Sequence, residues 1–268
     1  MLNLRKSLLL IVALLTCHAL QAQESSIETC SNGEPTTERG LPDEDADGIA
    51  NAVDNCRDHP NTDQRDTNGD GIGNVCDADF NNDSVVNVID LSILRAQFFA
   101  DDANPDADLD GDGVVALTDL ALLRQLFFKP PGPVGACLRD PTLCAGPKHF
   151  EVNDAARAGS LVVIRTSDPA SIYHAKRLID GASQCNSAIA GYTYLGSQPW
   201  NPNWGFHVTG DIYFHGDTIN ASVGCNKTAS YVEDNLGTWC NIDNRATSCQ
   251  FWCPWTSGLT RVIPPTTD

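Results

Sequence analysis

Apolar residues are distributed along the chain in three ways, and each predicts a different kind of structure. An unbroken run, Leu8 to Leu15, follows Arg5 and Lys6 near the start. From Asp43 to 78 the pattern almost vanishes: Ile49, Val53, Ile72 and Val75 are the only sizeable apolar side chains. Leu91, Leu94 and Phe98 then recur at i, i+3 and i+7, and Leu120, Leu123 and Phe127 do the same. That spacing predicts two helices with one apolar stripe each, the stripes facing one another. Lys129-Pro-Pro-Gly-Pro133 ends the second helix, because consecutive prolines remove backbone donors and favour extended chain; it marks a domain boundary.

Beyond that boundary, alternation and apolar runs replace the helical stripes. Ser160 to Thr166 predicts a strand, and Pro169 to Ile179 a helix with proline in its first turn and Gly181 just past its end. Strands are expected at Ala188 to Leu195, Gly205 to Val208, Asp211 to Phe214, Thr218 to Val223 and near Thr260 to Ile263, with a short helix at Ala229 to Leu236. Trp200, Trp204, Trp239, Trp252 and Trp255 all fall in this region and suit a disulfide-braced core. The fold class expected is multidomain: a calcium-stabilised loop array with a paired-helix module, then an α+β C-terminal domain containing disulfides. The divisions are 1–22 a signal peptide, 23–40 a flexible leader, 41–78 and 79–128 calcium modules, 129–136 a Pro/Gly linker, and 137–268 the C-terminal domain.

The polar stretches carry the chemistry. Asp79-Phe-Asn81-Asn-Asp83-Ser-Val-Val-Asn87-Val-Ile-Asp90 is restated as Asp108-Leu-Asp110-Gly-Asp112-Gly-Val-Val-Ala116-Leu-Thr-Asp119, with LSILRAQFF and LALLRQLFF following. Oxygen side chains at loop positions 1, 3, 5 and 12 suit a hard cation, since Ca²⁺ takes six to eight oxygen ligands and a backbone carbonyl at position 7 contributes another. Two earlier stretches share the pattern, with position 9 included: Asp43, Asp45, Asp47, Asn51 and Asp54, then Asp66, Asn68, Asp70, Asn74 and Asp77. Gly48 and Gly71 stand at position 6, where the loop must turn sharply. In the later pair the candidate ligands are Asp79, Asn81, Asp83, Asn87 and Asp90, and Asp108, Asp110, Asp112 and Asp119. Ser84 replaces the usual glycine at position 6, which strains that loop, and Ala116 removes an oxygen at position 9. HPNTDQ between the first two loops is a connector.

Charge and cysteines narrow the class. The net charge of −18 belongs almost wholly to residues 24–129, a field that repels nucleic acid and anionic lipid and attracts divalent cations. Arg5 and Lys6, the apolar run and Leu20-Gln-Ala22 form a secretory signal, cleaved after Ala22. A lipoprotein anchored at Cys17 is the minor alternative, and Leu8 to Leu15 is too short to span a bilayer. Ten further cysteines (30, 56, 76, 137, 144, 185, 225, 240, 249 and 253) predict disulfides in an exported chain, and spacing leaves their pairing open. The location expected is extracellular or cell-surface, with the periplasm as alternative.

Three resemblances sharpen these expectations. The sequence from Asp43 to Asp77, with Asp54-Asn55-Cys56, Pro60-Asn61-Thr-Asp63-Gln64 and Gly69-Asp70-Gly71-Ile-Gly73-Asn74-Val-Cys76-Asp77, resembles thrombospondin type 3 repeats. That resemblance implies chain wrapped round calcium and a Cys56–Cys76 disulfide. The duplication from Asp79 to Phe128 resembles a type I dockerin, with EF-hand-type loops. In dockerins a cohesin partner is recognised through loop positions 10 and 11, here Val88-Ile89 and Leu117-Thr118, which depart from the usual Ser-Thr pair. From about Phe150 to Ile263, DPASIYHAKRLIDG, PWNPNWGFHVTGDIYF, SYVEDNL and WCPWTSGLTRVI are similar to the N-terminal domain named for calmodulin-binding, calcium-associated cell-adhesion proteins of amoebae. Nothing in that domain defines a reaction.

The reading is therefore an exported calcium-binding modular protein, with Ca²⁺ its one cofactor and an adhesion or ligand-binding C-terminal domain whose partner is a cell-surface protein or a glycan. One alternative is a dockerin-bearing accessory protein or glycoside-hydrolase-associated component of polysaccharide breakdown, with the tryptophans as a sugar platform. Another is an enzyme with a site near His207, drawing on His149, His174, His215, Asp211 and Asp217. No G-x-S-x-G, H-E-x-x-H or phosphate-cradling loop is present. Glu151 and Glu233 are the C-terminal domain's only glutamates for a glycosidase pair.

Overall fold

The loop array is held by backbone pairing between segments far apart in sequence, as a chain with few apolar residues requires. A computed structural model describes residue 30 and residues 33–153, 161–183, 185, 188–215, 228–240, 251–252 and 259–263. Helices α1 (Val88–Ala96) and α2 (Leu117–Leu126) each follow a loop. Their modules exchange equivalent contacts: the Phe99 amide donates to the Val115 carbonyl at 3.1 Å, and the Phe128 amide to the Val86 carbonyl at 2.8 Å. Val86, Leu94, Leu109, Val115, Leu123 and Leu126 form a small core of their own. The expected stripes therefore meet, although α1 stops at Ala96 and Phe98 packs from the turn beyond it.

The C-terminal region is a six-stranded sheet. Its strands are β1 (Lys148–Asn153), β2 (Leu161–Thr166), β3 (Ala188–Leu195), β4 (Phe206–His215), β5 (Phe251–Trp252) and β6 (Leu259–Ile263), in the order β5-β3-β4-β2-β1-β6. Every neighbouring pair is antiparallel except β2 with β4. Alternation on β4 buries Phe206, Val208, Ile212 and Phe214 and leaves His207, Thr209, Tyr213 and His215 half-buried on the other side. Helices α3 (Ala136–Arg139) and α4 (Pro169–Ile179) precede the sheet's later strands, and α5 (Ala229–Asp234) and α6 (Leu236–Trp239) follow β4. Asp168 caps α4 by accepting from the Ser171 amide at 2.8 Å, and Ile172 and Ala175 carry that helix into the core with Phe150, Ile164 and Trp252.

Several expectations change in detail. The strand pieces at 205–208 and 211–214 are one strand, bent where Gly210 adopts φ +89°. The helix expected over 229–236 divides at Asn235 into α5 and α6. Strands β1 and β5 had no expectation: β1 is short and mixes His149 and Glu151 with Phe150 and Val152, and β5 has only two residues. The strand expected at 218–223 and the signal segment 1–22 lie outside the described residues.

The largest difference concerns Cys30 and residues 33–40 of the leader expected to be flexible, and the Pro/Gly linker, all of which are packed. Cys30 is bonded to Cys185. The Phe214 amide donates to the Arg39 carbonyl at 2.8 Å, and the Arg39 guanidinium reaches Asp168 at 3.2 Å and Asp211 at 3.8 Å. On the linker side, the Gly135 amide donates to the Asp54 carbonyl at 2.7 Å and the Cys137 amide to the Ala52 carbonyl at 2.8 Å. A Cβ on Gly135 would stand 2.4 Å from the Ala52 oxygen, so this contact requires glycine. The physical reason is apolar: Leu41, Ala50 and Ala52 join the core of the sheet domain, burying surface the acidic segment cannot bury within itself. A Cys137–Cys144 disulfide closes the turn after α3.

Two outcomes follow from this packing. Leu41→Ala, at a position 1 % exposed, is expected to destabilise the sheet domain by about 2–5 kcal/mol, read in the near-ultraviolet signal of its tryptophans. Glu151 is held below its ordinary carboxylate range by hydrogen bonds from Arg261, and burial opposes this only in part. A lowered folded value stabilises above the ordinary value of 4.5, and that share is lost as pH falls through the folded value. The melting-temperature gap between the native chain and Glu151→Gln should therefore be widest near neutrality and close in acid.

Candidate metal centre

Each of the four acidic loops folds by the same internal hydrogen bonds, which is why the sequence repeats. The position-1 aspartate accepts from the position-6 amide: Asp43 from Gly48 at 2.9 Å, Asp66 from Gly71 at 2.9 Å, Asp79 from Ser84 at 2.6 Å and Asp108 from Gly113 at 3.1 Å. The position-5 aspartate accepts from the position-7 amide at 2.8 to 3.1 Å, in Asp47, Asp70, Asp83 and Asp112. These bonds turn the chain so that side chains 1, 3 and 5 converge. Left-handed backbone occurs at position 6, as expected, and also at position 4, where Ala46, Gly69, Asn82 and Gly111 have φ between 57° and 78°. Ser84 has φ +73°, so the strain read from the sequence is present.

The position-12 aspartates close the loops from beneath. Asp90 and Asp119 are fully buried. Asp90 accepts from Asn81 and Asn87 amides, and Asp119 from Leu109, Asp110 and Ala116 amides. Asp77 accepts weakly from Asp79, and its carboxyl is pushed up to about 7 by burial and by Asp70. Asp54 accepts from the Cys56 amide and the Gln64 side chain, both at 2.8 Å.

Loop 1 carries the least compensated charge. Asp43, Asp45 and Asp47 each direct an oxygen into a volume where these atoms lie within 4.8 Å of one another, as do Asp108, Asp110 and Asp112 in loop 4. In loop 1, Asp43 Oδ1, Asp45 Oδ2 and Asp54 Oδ2 are buried with no hydrogen-bond donor. Burial first, then Asp47 and Asp54, push the Asp45 carboxyl up to about 7, and burial raises Asp43 and Asp54 as well. Loop 4 has a counter-charge in Arg65, whose guanidinium lies 3.4 Å from Asp108 and also donates to its carbonyl. Loops 2 and 3 have asparagine at position 3. Asn68 directs an amide nitrogen to Asp70 and Asp77, and Asn81 does so to Asp83. An all-oxygen set with orphaned buried carboxylate atoms fits a hard divalent cation, whose charge removes the repulsion and whose coordination satisfies the atoms.

The position-9 asparagines expected as ligands also carry contacts of their own, and Asn87 donates to Asp83 of its loop at 3.3 Å. Asn51 accepts from the Glu44 amide and donates to Glu34; Asn74 braces Thr67 and the Pro105 carbonyl; Asn87 caps α1 by accepting from the Ile89 amide. Ala116 thus costs α2 a side-chain cap, leaving only Asp119 to receive the Ala116 amide. Two residues of the thrombospondin-like motif that were not expected as site residues hold loop 1 together: the Asn61 backbone amide donates to Asp47 at 2.8 Å, and Gln64 reaches Asp54. Both lie in the stretch read as a connector. Its run of short amide and hydroxyl side chains, able to cap neighbouring backbone, was the available signal. The Cys56–Cys76 disulfide is present, and Gly73 packs against it, where a Cβ would come within 2.7 Å of Cys56 Sγ.

The other candidates are dispersed. His174 is a core residue, bonded to the Cys185 carbonyl at 3.0 Å and set edge-on to Phe214. His207 is bonded to the Gly196 carbonyl, while Asp211 faces Arg39. Glu151 pairs with Arg261, and Glu233 accepts from the Gly205 amide. Trp204, Trp239 and Trp252 are buried; Trp204 and Trp239 donate to Leu161 and Thr193, so none of these three offers a sugar platform. Trp200 is half-buried between His149 and His207. Asp217 and Trp255 lie outside the described residues.

Comparison with known families gives matches in two parts of the chain. No curated protein and no solved structure gives a significant match. The thrombospondin type 3 repeat family matches residues 42–64 and 65–91, so its second match takes in loop 3 as well as loop 2. Thrombospondin type 3 repeats are calcium-binding. The chain thus combines thrombospondin type 3 repeats over 42–91 with a region, 146–266, that matches the BP-74 N-terminal domain family.

Proposed function

We propose that this is an exported calcium-binding protein in which ions seated in the four loops order residues 41–128 and, through loop 1, brace a C-terminal adhesion or ligand-binding domain. The observation that carries the reading is the set of buried, donorless oxygens on Asp43, Asp45 and Asp54. In loop 1 the ligands are Asp43, Asp45, Asp47 and Asp54 with the Ile49 carbonyl; loop 2 uses Asp66, Asn68, Asp70 and Asp77. Loop 3 uses Asp79, Asn81, Asp83 and Asp90, and loop 4 Asp108, Asp110, Asp112 and Asp119. The position-9 asparagines serve the fold around the ion. Disulfides and the thrombospondin type 3 repeats support an extracellular setting.

Calcium supplies charge neutralisation and coordination when bound; the chain supplies loops whose turns its own amides favour, a position-12 carboxylate beneath each, and packing that transmits order. Loop 1 shares a core with the sheet domain, so its metal state reaches that domain directly. Loops 2 and 4 meet through Arg65 and Asp108, and through Asn74 and the Pro105 carbonyl at 3.2 Å.

Calorimetry of the full chain in calcium and in EDTA tests the reading. Chelation is expected to lower the melting temperature of the array and, through loop 1, that of the sheet domain; identical melting in both conditions refutes the proposal. A second test uses backbone strain. Ser84→Gly removes a side chain at φ +73° and should stabilise loop 3 by about 1 kcal/mol. Calcium titration should then show several-fold tighter binding at that loop alone.

A further inference from the structure

Where loop 1 meets α4, the packing leaves a cleft of about 280 Å³. Buried walls come from Leu41, Ala50, Ala52 and Ala170, and Tyr173 supplies an aromatic flank. Arg57, Arg139 and Arg177 also line it, with Glu34 the only carboxylate among the described residues. In a chain of 35 acidic and 17 basic residues, three guanidinium groups on one cleft run against the overall balance.

Existing contacts leave donors to spare. Arg57 pairs with Glu44 at 2.8 Å through one terminal nitrogen, and its other terminal nitrogen has no acceptor among the described residues. Arg177 gives one N–H to the Ala182 carbonyl at 2.6 Å and lies over the Tyr173 ring at 5.9 Å. Arg139, exposed at the end of α3, has no side-chain acceptor among the described residues. Glu34 accepts from Asn51 at 3.2 Å. A guanidinium presents five donors in a planar fork that matches carboxylate, sulfate and phosphate oxygens.

We propose that this cleft is a binding site for a small oxyanion, a carboxylate, sulfate or phosphate group on a body no larger than one ring. The size follows from the volume, which equals about nine waters at roughly 30 Å³ each. The oxyanion meets the three arginines, and the ring lies against Tyr173 and the alanine walls. Because Ala50 and Ala52 belong to loop 1, the cleft's integrity rests on the calcium reading above.

Isothermal titration of the full chain in calcium, with sodium glucuronate, sodium sulfate and neutral glucose as probes, tests the site. Glucuronate is expected to bind saturably at one site, sulfate to compete with it, and glucose to give no heat. Sulfate matching glucuronate assigns recognition to the oxyanion alone; weaker sulfate binding shows that the ring contributes. Arg139→Gln and Arg177→Gln should each weaken glucuronate about tenfold or more, with melting in calcium unchanged. No saturable binding, glucose binding as well as glucuronate, or both variants binding like the native chain overturns the proposal. Should a variant melt early, sulfate competition on the unaltered protein decides instead. Loss of glucuronate binding in EDTA is expected. Binding that persists there counts against the calcium reading and leaves the cleft standing, whereas absent binding in calcium with a normal EDTA effect on melting does the reverse.

Discussion

Carboxylates crowded out of water impose the condition that everything else in this molecule meets. Two unit charges 4 Å apart repel by about 4 kcal/mol at an effective dielectric near 20, and loop 1 sets three aspartates within 4.8 Å of one another above a fourth. Backbone amides answer part of that charge in all four loops, through the bonds from positions 6 and 7. The remainder needs either protons, as the raised Asp45 and Asp77 carboxyls record, or a cation. Loop 4 shows a third answer in Arg65, a side chain borrowed from the segment before loop 2.

That condition explains the division of labour between the two halves of the chain. The array buries aspartates, a disulfide and small residues, and its own apolar core is confined to the paired helices and the loops that lead into them. Its missing hydrophobic burial is found in the sheet domain, where Leu41, Ala50 and Ala52 lie among Ile172, Phe150 and Phe214. Charge balance in the loop and apolar packing beyond it therefore stand on opposite sides of the same short segment, 41–54. A disturbance on one side is felt on the other within a few residues.

The sequence made the local rules legible and the long-range contacts much less so. Loop period, position-6 turns, the helix over 169–179 and β3 all follow from spacing and turn chemistry within a short window. The left-handed position 4 escaped notice because Ala46 and Asn82 occupy it alongside glycines. An oxygen at position 9 suits a metal, and at Asn87 it also suits a helix cap, so spacing alone does not separate the two uses. Arg39 and Arg65 looked like ordinary polar residues, and their importance lies in what folds against them. Arg39 meets Asp168 and Phe214, both more than a third of the chain away, and Arg65 meets Asp108 at a separation of 43 residues. The sheet's β1 was missed since its central residues are buried on both faces and carry no alternation.

The Cys30–Cys185 disulfide gives this arrangement a topology that differs from beads on a string. It closes a covalent ring of chain, 155 residues in sequence separation, that contains every acidic loop, both paired helices, the proline-rich boundary and the first two strands of the sheet. A protease that cuts one exposed turn within that ring opens it without releasing a fragment. The acidic half is in this sense an insertion looped out of the domain it rests on, anchored at both ends. A single cut parts the two only together with chemical reduction; without reduction, two cuts are needed.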